Sequence, residues 1–248
     1  MREVPDFSRV SEEYAASRPL YPPELFAWLA SSVRCRETAW DAATGNGQAA
    51  VGLVTHFDRV IATDLSPAQL QHAKPHPRIE YRVAPAEESG LAADSVDLVV
   101  AAAAIHWLDR DRFYREADRV LHHGGVLAAW TYHVAEAGPP LDRILWPFYK
   151  DVVGSYFAPG ARMVDSHYDS LTLPGKALRS PAFRATVRWS AEEVLRFVRT
   201  WSGVQSYMEA TKQDPVEQIA GAVREAFGSD DSVQEVSWPL YIRAAQQS

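Results

Sequence analysis

Trp40-Asp41-Ala42-Ala43-Thr44-Gly45-Asn46-Gly47-Gln48-Ala49-Ala50 sets a polar, glycine-bearing turn between two apolar segments. Thr38 to Ala42 suits the end of a buried strand, and Ala49 to Phe57 can run as a helix. Glycine takes positive φ at no steric cost and lets a ligand come close to the main chain. The first helical turn presents N–H groups that have no partner inside the helix. Strand, tight turn and helix N-terminus together make a binding site, although the same glycines would serve a βα turn for geometry alone.

The residues that follow strengthen the ligand reading. Val60 to Asp64 reads as the next strand, with a carboxylate at its end. An acid about 20 residues beyond such a glycine turn suits a bidentate hydrogen bond to a ribose diol. Ser66-Pro67 comes next and starts a helix well, so Asp64 can equally be a cap. Gly45-x-Gly47-x-x-Ala50 also fits the dinucleotide pattern, which brings in NAD as a candidate. Asp41 argues against NAD, because a carboxylate where the turn begins favours a cationic amine over a pyrophosphate.

Asp41 to Gln48 resembles motif I (D-x-G-x-G-x-G) of the Rossmann-like, class I S-adenosylmethionine-dependent methyltransferases, with Ala43 in place of the first glycine. The resemblance continues through Asp64, Ala86-Glu87, Ser95 to Val99, Ala104 to Asp109, Arg119 to Leu121, Gly124-Gly125 and Trp130. It is strongest over residues 38–132 and most similar to the type 11, trans-aconitate methyltransferase-like branch. The resemblance implies a doubly wound, seven-stranded, mostly parallel α/β sheet. It implies that S-adenosylmethionine is held by Asp41, Ala43, Gly45, Gly47 and Gln48 in the turn, by Asp64 and Leu65, by Ala86 and Glu87, and by Ala104. In the family an acid followed by Ala reads the adenine. Pro85 stands where that acid is usual, so amine recognition by that side chain is either lost or moved to Glu87, and the backbone N–H of Ala86 stays in place. Glu87 and Glu88 would equally make a solvated helix start.

Composition narrows the function classes. The chain has 248 residues, of which 47% are hydrophobic, enough for one large domain. The single cysteine, Cys35, excludes an internal disulfide and a cysteine-cluster metal site. A net charge of −7 without any long Lys/Arg run makes nucleic acid a poor partner. No apolar run approaches the ~18 residues of a membrane span, and Met1 to Pro5 carries no leader pattern. The expectation is a cytoplasmic protein, monomer or homodimer, with no metal and a small-molecule partner.

Outside the turn, Asp6 to Arg18 reads as a helix with Phe7, Val10 and Tyr14 at helical spacing, and Glu24 to Val33 as a second. Residues 1–34 would close over the ligand as a lid, with Tyr14 and Arg18 toward the cofactor and Tyr21 toward the substrate, or would simply pack on the sheet. Pro67 to Ala73 is a short helix and Ile79 to Val83 a strand. The run Asp97 to Ala104 implies a strand buried on both faces. His106-Trp107 lies just past its carboxyl end, where open α/β sheets bind ligands. His106 would act as a base or a hydrogen-bond donor and Trp107 as a wall, or the two would form a structural pair. Asp111 to His122 predicts a helix closed by Gly124-Gly125, and Val126 to Tyr132 a strand that brings Trp130-Thr131-Tyr132-His133 to the ligand end.

Residues 134–180 read as a substrate-capping insertion, with one aromatic-rich helix from Leu141 to Phe157. Arg162, Arg179 and Arg184 are candidates to grip an acidic substrate. Residues 181–248 return to the core. Phe183 to Trp189 is a strand, Ser190-x-x-Glu193 a capping box opening a helix from Ala191 to Tyr207, Pro215 to Phe227 a helix and Ser232 to Ala244 the last strand. No Ser-His-Asp spacing and no metal motif appear. The expected activity is methyl transfer to a small-molecule carboxylate or hydroxyl, the carboxylate following from the resemblance alone. Two alternatives stay open: a cofactor-binding protein that has lost turnover, suggested by Ala43 and Pro85, and an NAD-dependent oxidoreductase.

Overall fold

A computed structural model describes residues 18–229 and 232–247, so the expected helix before Arg18, with Tyr14, lies outside the described residues. Five strands run parallel: β1 (Thr38–Ala42), β2 (Arg59–Asp64), β3 (Ile79–Val83), β4 (Val96–Ala102) and β5 (Leu121–Thr131). Their spatial order is β3-β2-β1-β4-β5, and β4 pairs directly with β1. The chain thus winds outward from β1 to β3, then crosses back. That reversal leaves a crevice beyond the carboxyl ends of β1 and β4.

Side chains alternate between the two faces of the sheet, as period two requires. Leu98, Val100 and Ala128 belong to one buried cluster, while Trp40, Val99 and Leu127 belong to the other. Helices α1 (Pro23–Ser31) and α2 (Gln48–Leu53) bury Leu25, Phe26 and Leu53 in the first cluster. After the short α3 (Pro67–Gln71), helix α4 (Arg110–Val120) buries Phe113, Ala117 and Val120 in the second. Asp97 is the one acid inside β4, and its carboxylate accepts the N–H groups of Glu37 (2.9 Å) and Thr38 (3.0 Å), which ties down the start of β1.

The far edge departs from the expected seven strands. β8 (Gln234–Gln246) runs antiparallel to β5 and carries two short partners on its other side. β6 (Lys176–Leu178) pairs with Ala244 to Gln246, and β7 (Phe183–Trp189) with Gln234 to Leu240. Eight strands therefore fill seven places.

Helix limits also differ from the expectation: α2 stops at Leu53, four residues short of Phe57, and three further differences have visible causes. α4 ends at Val120, and His122 to Gly125 belongs to β5. The carbonyls of Arg119 and Val120 are taken by the N–H groups of Asp94 and Ser95, so no glycine cap is needed. Gly124 instead sits at φ +80 where the register between β4 and β5 shifts. The aromatic helix of the insertion is α5 (Pro139–Pro147), followed by a π-helical turn, Phe148–Val152, and a 3-10 turn, Gly154–Tyr156. Pro147 lacks the N–H that would continue a regular ladder. A further short helix, α6 (Arg162–Asp165), follows. The last long helix is split into α7 (Ala191–Arg199) and α8 (Ser202–Thr211), because Trp201 takes an extended conformation (ψ 135). The Ser190–Glu193 capping box is present, and α9 (Glu217–Phe227) precedes β8. No helix among the described residues is long and apolar enough to cross a membrane.

Gly52 on α2 faces Phe26 of α1, and a Cβ there would overlap the Phe26 ring. Gly52→Ala is expected to destabilise the protein by about 1–3 kcal/mol, the range of core overpacking, in urea unfolding.

Candidate functional site

β1 feeds the turn at Ala42. Ala43 takes φ +53, Gly45 φ +58 and Gly47 φ +84, so the backbone coils into left-handed space three times before α2 starts. The turn is anchored by Thr44 N–H on the Thr63 carbonyl (2.9 Å) and Gly47 N–H on the Thr44 carbonyl (3.0 Å). Asp64 completes it. One carboxylate oxygen accepts the Gly45 N–H (2.8 Å) and the other the Ser66 N–H (2.8 Å). Helix capping falls to Ser66, whose hydroxyl accepts from Gln69 N–H at the start of α3. Each Asp64 oxygen keeps a second lone pair for a ligand hydroxyl.

Asp41 lies fully buried beneath the turn and does not line the cleft. One carboxylate oxygen accepts the Thr44 hydroxyl, and the other has no partner among the described residues. Burial pushes its carboxyl up to about 7, opposed by the Thr44 hydroxyl and the Ala50 N–H.

The crevice beyond β1 and β4 is a cleft of about 560 Å³. Ala43, Gly45, Gln48, Asp64 and Leu65 line it, together with Ala86, Glu87, Ala104 and Trp107. Arg18, Tyr21 and Tyr132 also line it. Gly47 and Pro85 stand outside this lining. Glu87 is partly committed, since its carboxylate accepts the Asp109 N–H (2.8 Å) at the start of α4. Arg18 donates to the Tyr132 hydroxyl (2.8 Å), and its guanidinium lies 5.2 Å from the Phe197 ring centre.

A second pocket, about 120 Å³, adjoins the cleft and shares Arg18, Ala103, Trp107 and Tyr132 with it. Its other walls come from the insertion and the C-terminal helices: Tyr149, Phe157, Val164, Phe197 and Trp201. His106 opens here and not on the cleft. Its Nδ1 lies 2.7 Å from the Tyr168 hydroxyl, its ring packs on Trp107, and burial pushes it down to about 3. Nδ1 is thus taken up by the tyrosine hydroxyl, and only Nε2 is left for a further partner.

His133, expected at the ligand end of its strand, lines this pocket. Tyr149 comes from the aromatic-rich stretch expected of the insertion, while Val164 and Phe197 carried no sequence signal. His167 and Tyr168 both take positive φ (53 and 58), which turns Tyr168 into the core. Bulky residues hold that conformation only where the surroundings enforce it. Of the three arginines, none lines either cavity, and Arg184 pairs with Glu136 and Ser237 at the surface.

Residues 40–129 match the family model of the methyltransferase domain. The fold superposes on the solved structure of a protein assigned as a type II methyltransferase from Anaeromyxobacter dehalogenans, with a TM-score of 0.85 and 39% identity over 92% of this chain and 97% of that one. A Dictyostelium discoideum protein assigned as a methyltransferase is 28% identical over 95% of this chain and 92% of its own length. A Saccharomyces cerevisiae protein assigned as an S-adenosylmethionine-dependent methyltransferase is 28% identical over 68% of this chain and 61% of its own.

Ala43 holds a conformation that costs an L-residue about 1–2 kcal/mol. Ala43→Gly is expected to relieve it and, after the greater unfolded-state entropy of glycine, to raise stability by about 0.5–1 kcal/mol in urea unfolding. Asp41 titrates at 3.8 when unfolded and near 7 when folded, so the folded state holds the extra proton between these values. Its contribution to stability therefore falls as pH rises from about 4 to 7 and is level above. Asp41→Asn should gain stability relative to the wild type across that window, read as a widening difference in urea midpoint between pH 4 and pH 7.

Proposed function

The chain belongs to the class I S-adenosylmethionine-dependent methyltransferases, and on that premise we propose that it methylates an oxygen, carboxylate or hydroxyl, of a small molecule. The observation that carries the proposal is the junction of the two cavities. A cofactor-sized cleft opens through Arg18, Ala103, Trp107 and Tyr132 onto an aromatic pocket of only about 120 Å³. Such a pocket suits a small acceptor and excludes a protein side chain held in a bulky backbone.

The residues fit the cofactor. The cleft falls within the ~300–1,000 Å³ of small-molecule sites. Asp64 retains lone pairs for a ribose diol, and Ala86 and Glu87 border the place for the base. When bound, S-adenosylmethionine supplies a methyl group that is already an activated electrophile. The protein's task is then to hold the acceptor oxygen in line with that methyl and to keep water out. A carboxylate acceptor arrives ionised at neutral pH and needs no base, whereas a hydroxyl must give up a proton.

The NAD-dependent alternative is set aside by the family. A protein that binds but does not turn over remains the rival reading, and one of its two supports weakens: Ala43 adopts the very φ that a glycine would supply, so the turn is built despite the Cβ.

Calorimetric titration tests the proposal. S-adenosylhomocysteine should bind with micromolar affinity and NADH should not. Asp64→Ala should weaken binding at least about 10-fold (~1.4 kcal/mol), with Asp64→Asn intermediate because the amide oxygen can still accept one backbone N–H. Binding without turnover on any carboxylic acid or alcohol would favour the rival.

A further inference from the structure

One residue lining the smaller pocket, His133, carries a buried basic nitrogen that the cofactor site does not use. His133 follows β5 directly, and its side chain is only 5% exposed. The ring stacks on Trp146 (5.0 Å, 26°) and meets the edges of Tyr149 (4.7 Å) and His167 (5.7 Å). Its Nε2 lies 3.0 Å from a carboxylate oxygen of Asp165, and the same oxygen accepts the Tyr149 hydroxyl. An ionised carboxylate only accepts, so Nε2 carries the proton and Nδ1 a bare lone pair. Asp165 is half exposed, which turns Nε2 outward. Nδ1 is buried and bonded to nothing among the described residues. A buried acceptor without a donor is costly and uncommon, and in a pocket it points to a donor that arrives with the ligand.

We propose that His133 is the general base of the reaction, that Asp165 and Tyr149 position it, and that the acceptor is therefore a hydroxyl of the phenol class. This rests on the methyltransferase reading above. As the acceptor oxygen forms its bond to the methyl carbon, the O–H bond breaks and its proton passes to Nδ1. The methyl–sulfur bond breaks with its electron pair left on sulfur. The imidazolium, held by Asp165, then releases the proton to water.

Four features favour a phenol over the carboxylate that the sequence resemblance suggested. A carboxylate would bring lone pairs and no proton to Nδ1. The walls are aromatic: Trp107, Tyr149, Phe157, Phe197 and Trp201. The volume is of the order of the ~150 Å³ that accepts one benzene ring. His106, on the same pocket, has its Nδ1 taken up by Tyr168 and no carboxylate against its ring among the described residues, so an imidazolium there would go unsupported. Burial lowers His133 below the ordinary imidazole value, against the pull of Asp165 and with a smaller push from His167. Besides His106 and the two indoles, the other polar side chains on the pocket are Arg18, Thr131, Tyr132, Tyr149 and Ser202. The imidazole is thus neutral near pH 7 and ready to accept a proton.

The test uses the full chain, S-adenosylmethionine, a series of substituted phenols of graded acidity, and benzoate as the carboxylate probe. The wild type should methylate phenols. His133→Asn should lower kcat about 10²–10⁴-fold on weakly acidic phenols, progressively less as the phenol becomes more acidic, with S-adenosylhomocysteine affinity unchanged. Asp165→Asn should show the same trend more weakly. A readout independent of turnover is the absorbance of 4-nitrophenol bound alongside S-adenosylhomocysteine. The phenolate band should appear at a pH where the free probe is mostly protonated, and should vanish in His133→Asn. Should that variant not fold, the wild-type band and Asp165→Asn decide. Methylation of benzoate but of no phenol, a loss independent of phenol acidity, or a bound probe that stays protonated in the wild type would overturn the proposal. Failure to bind S-adenosylhomocysteine would instead overturn the cofactor reading, and this proposal with it.

Discussion

The site depends on one carboxylate shared by two backbone amides. Asp64, at the end of β2, accepts the N–H of Gly45 in the neighbouring β1 turn and the N–H of Ser66 along its own chain. Both are charge-assisted hydrogen bonds, about twice as strong as neutral ones. They join the β1 turn to the β2 loop, so the two ligand-facing loops become one surface. The strained left-handed residues of the turn, Ala43 among them, stay in place because this bond and Thr44 N–H on the Thr63 carbonyl hold the far side of the coil. A ligand diol on Asp64 would add to an existing network, which preorganises the site and limits what binding must order.

Around that clamp the molecule divides its labour. The central parallel strands β1, β2 and β4 are buried on both faces and cannot shift without exposing core, so they fix where the turn, the β4 end and Trp107 stand. The acceptor side is assembled differently. Its walls come from Tyr149 on a π-helical turn, Phe157 after a 3-10 turn, Phe197 on α7 and Trp201 at a helix break. Irregular backbone aims large aromatic rings from several directions at one small volume. Tyr168 reaches His106 only through two consecutive left-handed residues. The scaffold is regular where the cofactor belongs and irregular where the acceptor must be distinguished.

Much of the cofactor side was legible residue by residue. Thr38 to Ala42, Ile79 to Val83 and Phe183 to Trp189 are strands with the expected limits, and the Ser190–Glu193 box caps its helix, because each is set by local periodicity or by a bond three residues long. The misread boundaries have tertiary causes. Gly124-Gly125 looks like a helix cap, but Asp94 and Ser95 take the carbonyls a cap would serve. The stretch from Ala191 to Tyr207 has helical composition throughout, yet Trp201 leaves the helix and lines the pocket.

By itself the sequence determined the alternation of strand and helix, the glycine turn with its distant acid, and hence the family and its cofactor. Those features rest on spacings along the chain, which backbone geometry converts directly into position. Only the tertiary structure decided that Asp41 is buried rather than facing the cleft, that His106 is held by Tyr168, and that His133 joins Asp165 and Tyr149 beside the pocket. His133 and Asp165 stand 32 residues apart, on the end of a strand and on a short helix of the insertion. No period or motif links such residues; they meet because the insertion folds back over the carboxyl end of the sheet to bury its aromatic side chains.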